Sequence, residues 1–129
     1  MDETYRDALT REPLVPELAF PREEYERRIG AVRAGMRDRG IDVLLVSNTS
    51  NWAYLTGYDT TMPSCYGVGI LPAEGEPAVH TAELEVPCVL YNSIVTDVVV
   101  YDWYDARTTA EQLADALLER GYDGRTIGV

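Results

Sequence analysis

Few residues in this chain could do chemistry unaided. The one histidine, His80, has no partner at a helical i+4 and no CxxC nearby, so a zinc-type ligand set does not assemble around it. A strand histidine facing solvent or a neighbouring subunit is the expectation, and the chain is read as having no metal site. Cys65 follows a loop and could meet His80 across a hairpin as a thiolate pair; a half-buried structural cysteine is the simpler reading. Glu83 and Glu85 could pair as acid and base, but at i, i+2 they diverge on a helix and read as carboxylates favoured by the dipole at its start. There is no GxSxG nucleophile elbow. Gly67-Val68-Gly69 imitates the first half of a dinucleotide fingerprint, but it lacks the third glycine and lies within a strand. Asp42 has no acidic neighbour and no lysine to serve as a phosphoacceptor. No catalytic residue is assigned.

The aromatic residues carry more information: nine tyrosines and two tryptophans stand against one phenylalanine. Tyr54, Tyr58, Tyr66, Tyr91, Tyr101, Trp103 and Tyr104 concentrate in the middle and late chain, where such rings suit an interface or pocket rim, or equally a core edge. Trp103, within Asp102-Trp103-Tyr104-Asp105, is the residue most expected at a contact, with Tyr104 and Trp52 as further interface candidates.

The 129 residues, 46% of them hydrophobic, suffice for one domain with a core of its own. There are 22 acidic and 11 basic side chains, giving a net charge of −11; every basic residue is arginine. Without lysine, Schiff-base and P-loop chemistry are excluded. No arginine lies between Arg39 and Arg107, so the middle of the chain repels nucleic acid and anionic lipid, and neither is an expected partner. No apolar run approaches the 18 or so residues of a membrane span. Two cysteines and no signal-like segment point to a reducing cytoplasm, with a Cys65–Cys88 disulfide as the minor alternative. The acid excess suits concentrated salt or a genome that writes arginine for lysine; composition does not choose.

These residues must be positioned by elements. Residues 1–16 read as an arm, acidic around Pro13 and Pro16 and without apolar period. The domain proper is assigned to 17–129. A helix starts near Pro21 and stops at Gly40, with Tyr25, Ile29, Val32 and Met36 as its apolar stripe. Ile41 to Ser47 reads as a central parallel strand covered on both faces. Asn48 to Ser50 offer caps for a short helix through Trp52 and Leu55, ended by Gly57. A polar loop from Tyr58 to Ser64 leads into a hairpin of Tyr66 to Leu71 and Pro77 to His80. Glu83 to Tyr91 reads as a short helix disturbed by Pro87, and Val95 to Tyr101 as a buried strand. Thr108 and Glu111 form a capping box for a helix burying Leu113 and Leu117 and ending at Gly121. Arg125 to Val129 begins a last strand. The chain ends inside that run, so a longer polypeptide is expected. The order predicts an α/β sandwich with a mixed sheet.

The run Asn51-Trp52-Ala53-Tyr54-Leu55-Thr56-Gly57-Tyr58 resembles the N-x-x-Y-L-T-G-Y signature of the N-terminal domain of the creatinase/prolidase family, the pita-bread hydrolases. Glu24-Tyr25, Arg28, Met36, Gly40-Ile41-Asp42 and Thr81 to Glu85 agree in order and spacing, and the resemblance covers about 17–129. It implies a three-layer α/β/α sandwich of ribonuclease-H-like type. It also implies that catalysis resides in a C-terminal domain that supplies two aspartates, a histidine and two glutamates to two divalent metals, Mn or Co. None of those motifs occurs here.

The resemblance further implies a homodimer in which this domain lends a loop to the partner subunit's active site. The counterpart loop, Tyr58 to Cys65, makes Tyr58, Asp59, Thr60, Met62 and Cys65 the candidate substrate-binding residues. Creatinases carry a substrate-gripping arginine in that loop; its absence here disfavours creatine. Asp59 could greet a free amino group, or be a solvated loop carboxylate. The resemblance is strongest to Xaa-Pro dipeptidases and aminopeptidases, whose substrates are peptides. A metal-independent amidohydrolase of creatinase or compatible-solute type, and a standalone interaction or ligand-binding domain, are the alternatives.

Overall fold

The computed structural model describes residues 15–129, so the expected arm over 1–16 lies almost wholly outside the described residues. Helix α1 spans Arg22–Asp38 and buries Tyr25, Ile29 and Met36, three members of the predicted stripe. Pro21 is its N-cap, and Gly40 leaves it in the left-handed region at φ 65°. Strand β1 (Val43–Val46) runs into helix α2 (Thr49–Thr56), capped by Asn48 and closed by Gly57 at φ 86°. Strands β2 (Val68–Pro72) and β3 (Ala78–Ala82) form the hairpin. A 3-10 turn, Glu83–Glu85, then leads into helix α3 (Val86–Asn92). Pro87 occupies its first turn, where a missing N–H costs nothing, so it starts the helix instead of disturbing it. Strand β4 (Asp97–Tyr101), helix α4 (Thr109–Glu119) and strand β5 (Ile127–Gly128) complete the order.

The five-stranded sheet has the order β4-β3-β2-β1-β5. Pairs β1/β2 and β2/β3 are antiparallel; β1/β5 and β3/β4 are parallel. Strand β1 is therefore interior but only half parallel, a correction to the expected parallel strand. Side-chain alternation divides the sheet between two layers. Leu44, Val46, Leu71, Val79 and Val98 face α1, α2 and α3, in a core with Tyr25, Ile29, Trp52 and Val89. Val43, Leu45, Ile70 and Ala78 face α4 through Leu113 and Leu117. This is the expected three-layer α/β/α arrangement.

The capping box does not form. Thr108 has φ −100° and ψ 9° and its side chain makes no capping bond. That backbone is not extended, so the hydroxyl is not aimed at the first-turn amides. Both cysteines are free thiols.

A candidate substrate-facing loop over an aromatic cavity

The alternation that divides the sheet also divides its polar residues. In β3, Val79 and Thr81 point to the α1–α3 layer, while Ala78 and His80 point to α4. Gly69 of β2 pairs with Val46 on one side and Val79 on the other. Its missing side chain admits the Trp52 ring, whose Cδ2 and Cε3 would lie 2.3 Å from an added Cβ. Trp52 is thereby laid flat on the sheet just beyond the end of β1.

A cavity opens there, lined by Ser47 and Thr49, by Trp52, by the loop residues Tyr58, Thr60, Met62 and Cys65, and by Tyr66, Thr81, Glu85 and Tyr101. The Tyr66 hydroxyl meets His80 at 3.0 Å, and the Tyr101 hydroxyl donates to the Tyr66 carbonyl at 2.9 Å. With these hydroxyls engaged, the rings present mainly carbon to the cavity. Trp52, 3% exposed, carries the one buried side-chain polar atom without a partner among the described residues, its indole Nε1.

Glu85 organises the loop. It is 2% exposed, yet it is a carboxylate supplied by the start of α3. Its Oε2 accepts from the Tyr58 hydroxyl at 2.7 Å, the Thr60 hydroxyl at 2.7 Å and the Thr61 amide at 3.3 Å. Its Oε1 accepts from the Thr61 hydroxyl. Thr81 Oγ1 adds a 3.2 Å contact to the Tyr58 oxygen, and Thr60 Oγ1 takes the Met62 amide at 3.0 Å. Burial pushes the Glu85 carboxyl up, but the hydrogen bonds from Thr61, Tyr58 and Thr60 outweigh it and leave the group below its usual range. Burial likewise raises the Tyr58 phenol, which stays protonated and donates.

Four of the five predicted loop residues, Tyr58, Thr60, Met62 and Cys65, line this cavity, whereas Asp59 is exposed and outside the lining. Trp52 is corrected from interface to core, since its ring covers Gly69. Trp103 and Tyr104 are 37% and 92% exposed. His80 is the larger correction. It is fully buried, with Nδ1 facing the Tyr66 hydroxyl and Nε2 3.2 Å from Gln112 Oε1. An amide oxygen only accepts, so Nε2 carries the proton and Nδ1 accepts from Tyr66. Both nitrogens are taken, which removes the Cys65–His80 pair and any solvent-facing role.

The sequence singles out neither Thr61 nor Gln112; Glu85 reads there as a carboxylate favoured at a helix start, Tyr66 as an interface or pocket-rim ring, and Thr81 only as part of the family resemblance. Glu85 lies 24 to 27 residues from its loop partners, a separation at which no local pattern signals a contact. No three His, Cys, Asp or Glu side chains come together to hold a metal among the described residues. No helix among them is long and apolar enough to cross a membrane.

The family model for the Creatinase/Prolidase N-terminal domain matches residues 28–129. The chain belongs to that family. Ectoine hydrolase of Halomonas elongata is 50% identical over 68 residues, 53% of this chain and 17% of that protein. Among solved structures, a prolidase from Thermococcus sibiricus superposes with a TM-score of 0.61 at 27% identity, covering 74% of this chain and 25% of that one. The creatinase/prolidase N-terminal domain of an X-Pro dipeptidase from Streptococcus pyogenes superposes at 0.57 and 16% identity, covering 70% of this chain and 67% of that one, a likeness of fold. The chain thus spans about a sixth of the ectoine hydrolase and a quarter of the prolidase.

Proposed function

We propose that this creatinase/prolidase N-terminal domain is the substrate-capping part of a C–N bond hydrolase acting on a cyclic compatible solute of the ectoine type. The observation that carries the reading is the 50% identity to ectoine hydrolase over 68 residues, against 27% for the prolidase. Ectoine carries a ring amidinium and a carboxylate, and the aromatic residues Trp52, Tyr58, Tyr66 and Tyr101 gathered at the loop are of a type that favours a delocalised cation.

In this reading the reacting groups belong to a C-terminal catalytic domain, and this domain binds, orients and excludes water. A second copy pairs with it so that loop 58–65 reaches the partner's pocket, and the exposed Trp103 and Tyr104 supply apolar area for such pairing.

The prolidase likeness favours a second reading, an Xaa-Pro dipeptidase or aminopeptidase whose catalytic domain holds two divalent metal ions, Mn or Co. Among the described residues no donor set fits a metal, so no step is assigned to one here. Two chimeras decide between the readings, with residues 17–129 replacing the matching segment of the H. elongata ectoine hydrolase or of the T. sibiricus prolidase. The expected result is retained ectoine hydrolysis in the first and loss of Xaa-Pro cleavage in the second. The opposite pair of outcomes transfers the assignment to the peptidases.

A further inference from the structure

We propose that Glu85 is a positioning residue that sets the conformation of loop 58–65 by gathering the loop's donors onto one carboxylate. Glu85 itself need not touch the substrate. Its geometry is that of an anchor: a side chain 2% exposed, four hydrogen bonds, and every donor from the loop or its first residue, Tyr58. Among the described residues no arginine or histidine pairs with it, so the loop's hydroxyls and amide carry the whole task of solvating a buried anion. The dependence is mutual. The loop has no strand or helix of its own, and beyond Tyr58, whose amide donates to Thr56 Oγ1 and whose hydroxyl also meets Thr81 Oγ1, few other hydrogen bonds hold it: the Met62 amide to Thr60 Oγ1, and the Cys65 amide to the Met62 carbonyl.

Asp59, in the same loop, points out to solvent and takes no part. Glu85, 26 positions after Asp59, thus decides how Tyr58, Thr60 and Met62 are presented to the cavity. What the loop is presented to rests on the function proposed above; the anchoring itself does not.

The test is therefore made on the chain alone, by hydrogen exchange of the Thr61 and Met62 amides together with near-ultraviolet absorption of tyrosine. A phenol donating to a carboxylate absorbs to the red of a free one, so Tyr58 provides a signature that a general loss of stability does not move. Glu85→Leu removes both acceptors. The loop amides are expected to exchange about tenfold faster or more, and the red-shifted absorption to disappear. Glu85→Gln keeps one carbonyl oxygen for Tyr58, Thr60 and Thr61, and its NH2 can donate to a rotated Thr61 hydroxyl. It should restore most of the protection.

Should Glu85→Leu fail to fold, the double variant Thr60→Val, Thr61→Val removes two of the donors to Glu85, and should raise exchange of the residue-61 amide, which itself donates to Glu85, by a similar factor. As a control, Val89→Ala lowers global stability from a fully buried site without touching the loop, and should leave the tyrosine signature in place. Unchanged loop exchange in a folded Glu85→Leu or double-valine protein overturns the proposal, and so does a tyrosine spectrum indifferent to Glu85. A loop released in these variants, beside a chimera that does not hydrolyse ectoine, would keep the anchor and discard the substrate.

Discussion

Gly69 shows how one absent side chain can fix a site. The Trp52 ring rests where a β-carbon would be, 2.3 Å from Cδ2 and Cε3, and ring atoms held against a strand have no flexible end to move aside. Gly69→Ala should cost about 1–3 kcal/mol from overpacking, read as a lower denaturant midpoint and a change in tryptophan emission as the indole tips away. An unchanged midpoint would mean that the indole has space to retreat. His80 makes a second prediction at this scale. Burial lowers its pKa from the usual 6.5, and the Gln112 hydrogen bond only partly offsets this. Its ring neighbours Tyr66 and Tyr101 are themselves raised by burial and stay neutral. A depressed folded-state pKa means the unfolded chain takes the proton first. The stability His80 contributes is thus fully present above pH 6.5 and drains away as the pH falls towards its folded value. Chemical denaturation followed from pH 7.5 to 5 should show stability declining below 6.5, and His80→Gln should flatten that decline. None of this was visible in the sequence, where a lone histidine in an alternating strand looks alike whichever face it takes. The face was decided by α4, which supplies Gln112 from 32 residues away.

At the scale of elements, local chemistry was read well where one short segment sets the outcome. Asn48 caps α2 by accepting the Asn51 amide at 2.9 Å, and Gly57 ends it with the positive φ expected of such a stop. The α1 stripe, the hairpin and the strand at Val98 to Val100 likewise carry their periods in the residues themselves. The Thr108–Glu111 box failed because a cap needs backbone geometry as well as residue type. The loop before α4 instead turns through Ala106, whose carbonyl takes both the Thr109 amide and its hydroxyl. The two caps therefore give a paired prediction. Asn48→Ala should cost about 1 kcal/mol, within the usual range for a lost N-cap, whereas Thr108→Ala should change stability by less than about 0.5 kcal/mol. Urea denaturation of the two variants side by side checks it, and equal losses would mean that Thr108 caps the helix in solution. Strand direction was harder to read. β1 looked parallel because it is apolar throughout, but pairing depends on partners far along the chain, and β2 returns antiparallel beside it.

For the whole molecule, the charge of −11 has a consequence of its own. Four ion pairs are formed among the described residues, and two of them share Glu24, whose carboxyl the hydrogen bonds from Arg27 and Arg28 hold at about 2. Such partly exposed pairs contribute little each, and most of the remaining carboxylates make no ion pair among the described residues. Folding concentrates that charge, so repulsion opposes the compact state, and salt relieves it over the distance it screens. Raising potassium chloride from 0.1 M to 1 M shortens the Debye length from about 10 Å to about 3 Å. The melting temperature should then rise by about 3–8 °C, which corresponds to a gain of order 1 kcal/mol for a domain of this size. Chloride is chosen because sulfate would strengthen burial by its own exclusion from the surface. Glu74, Glu76 and Glu119 are exposed and make no ion pair among the described residues. Converting all three to glutamine removes charge without touching the core, so the triple variant should melt higher in low salt and gain less from added salt. A variant whose response to salt matched the parent's would show that the effect, if present, is not screening, and the acid excess would then be a matter of composition alone.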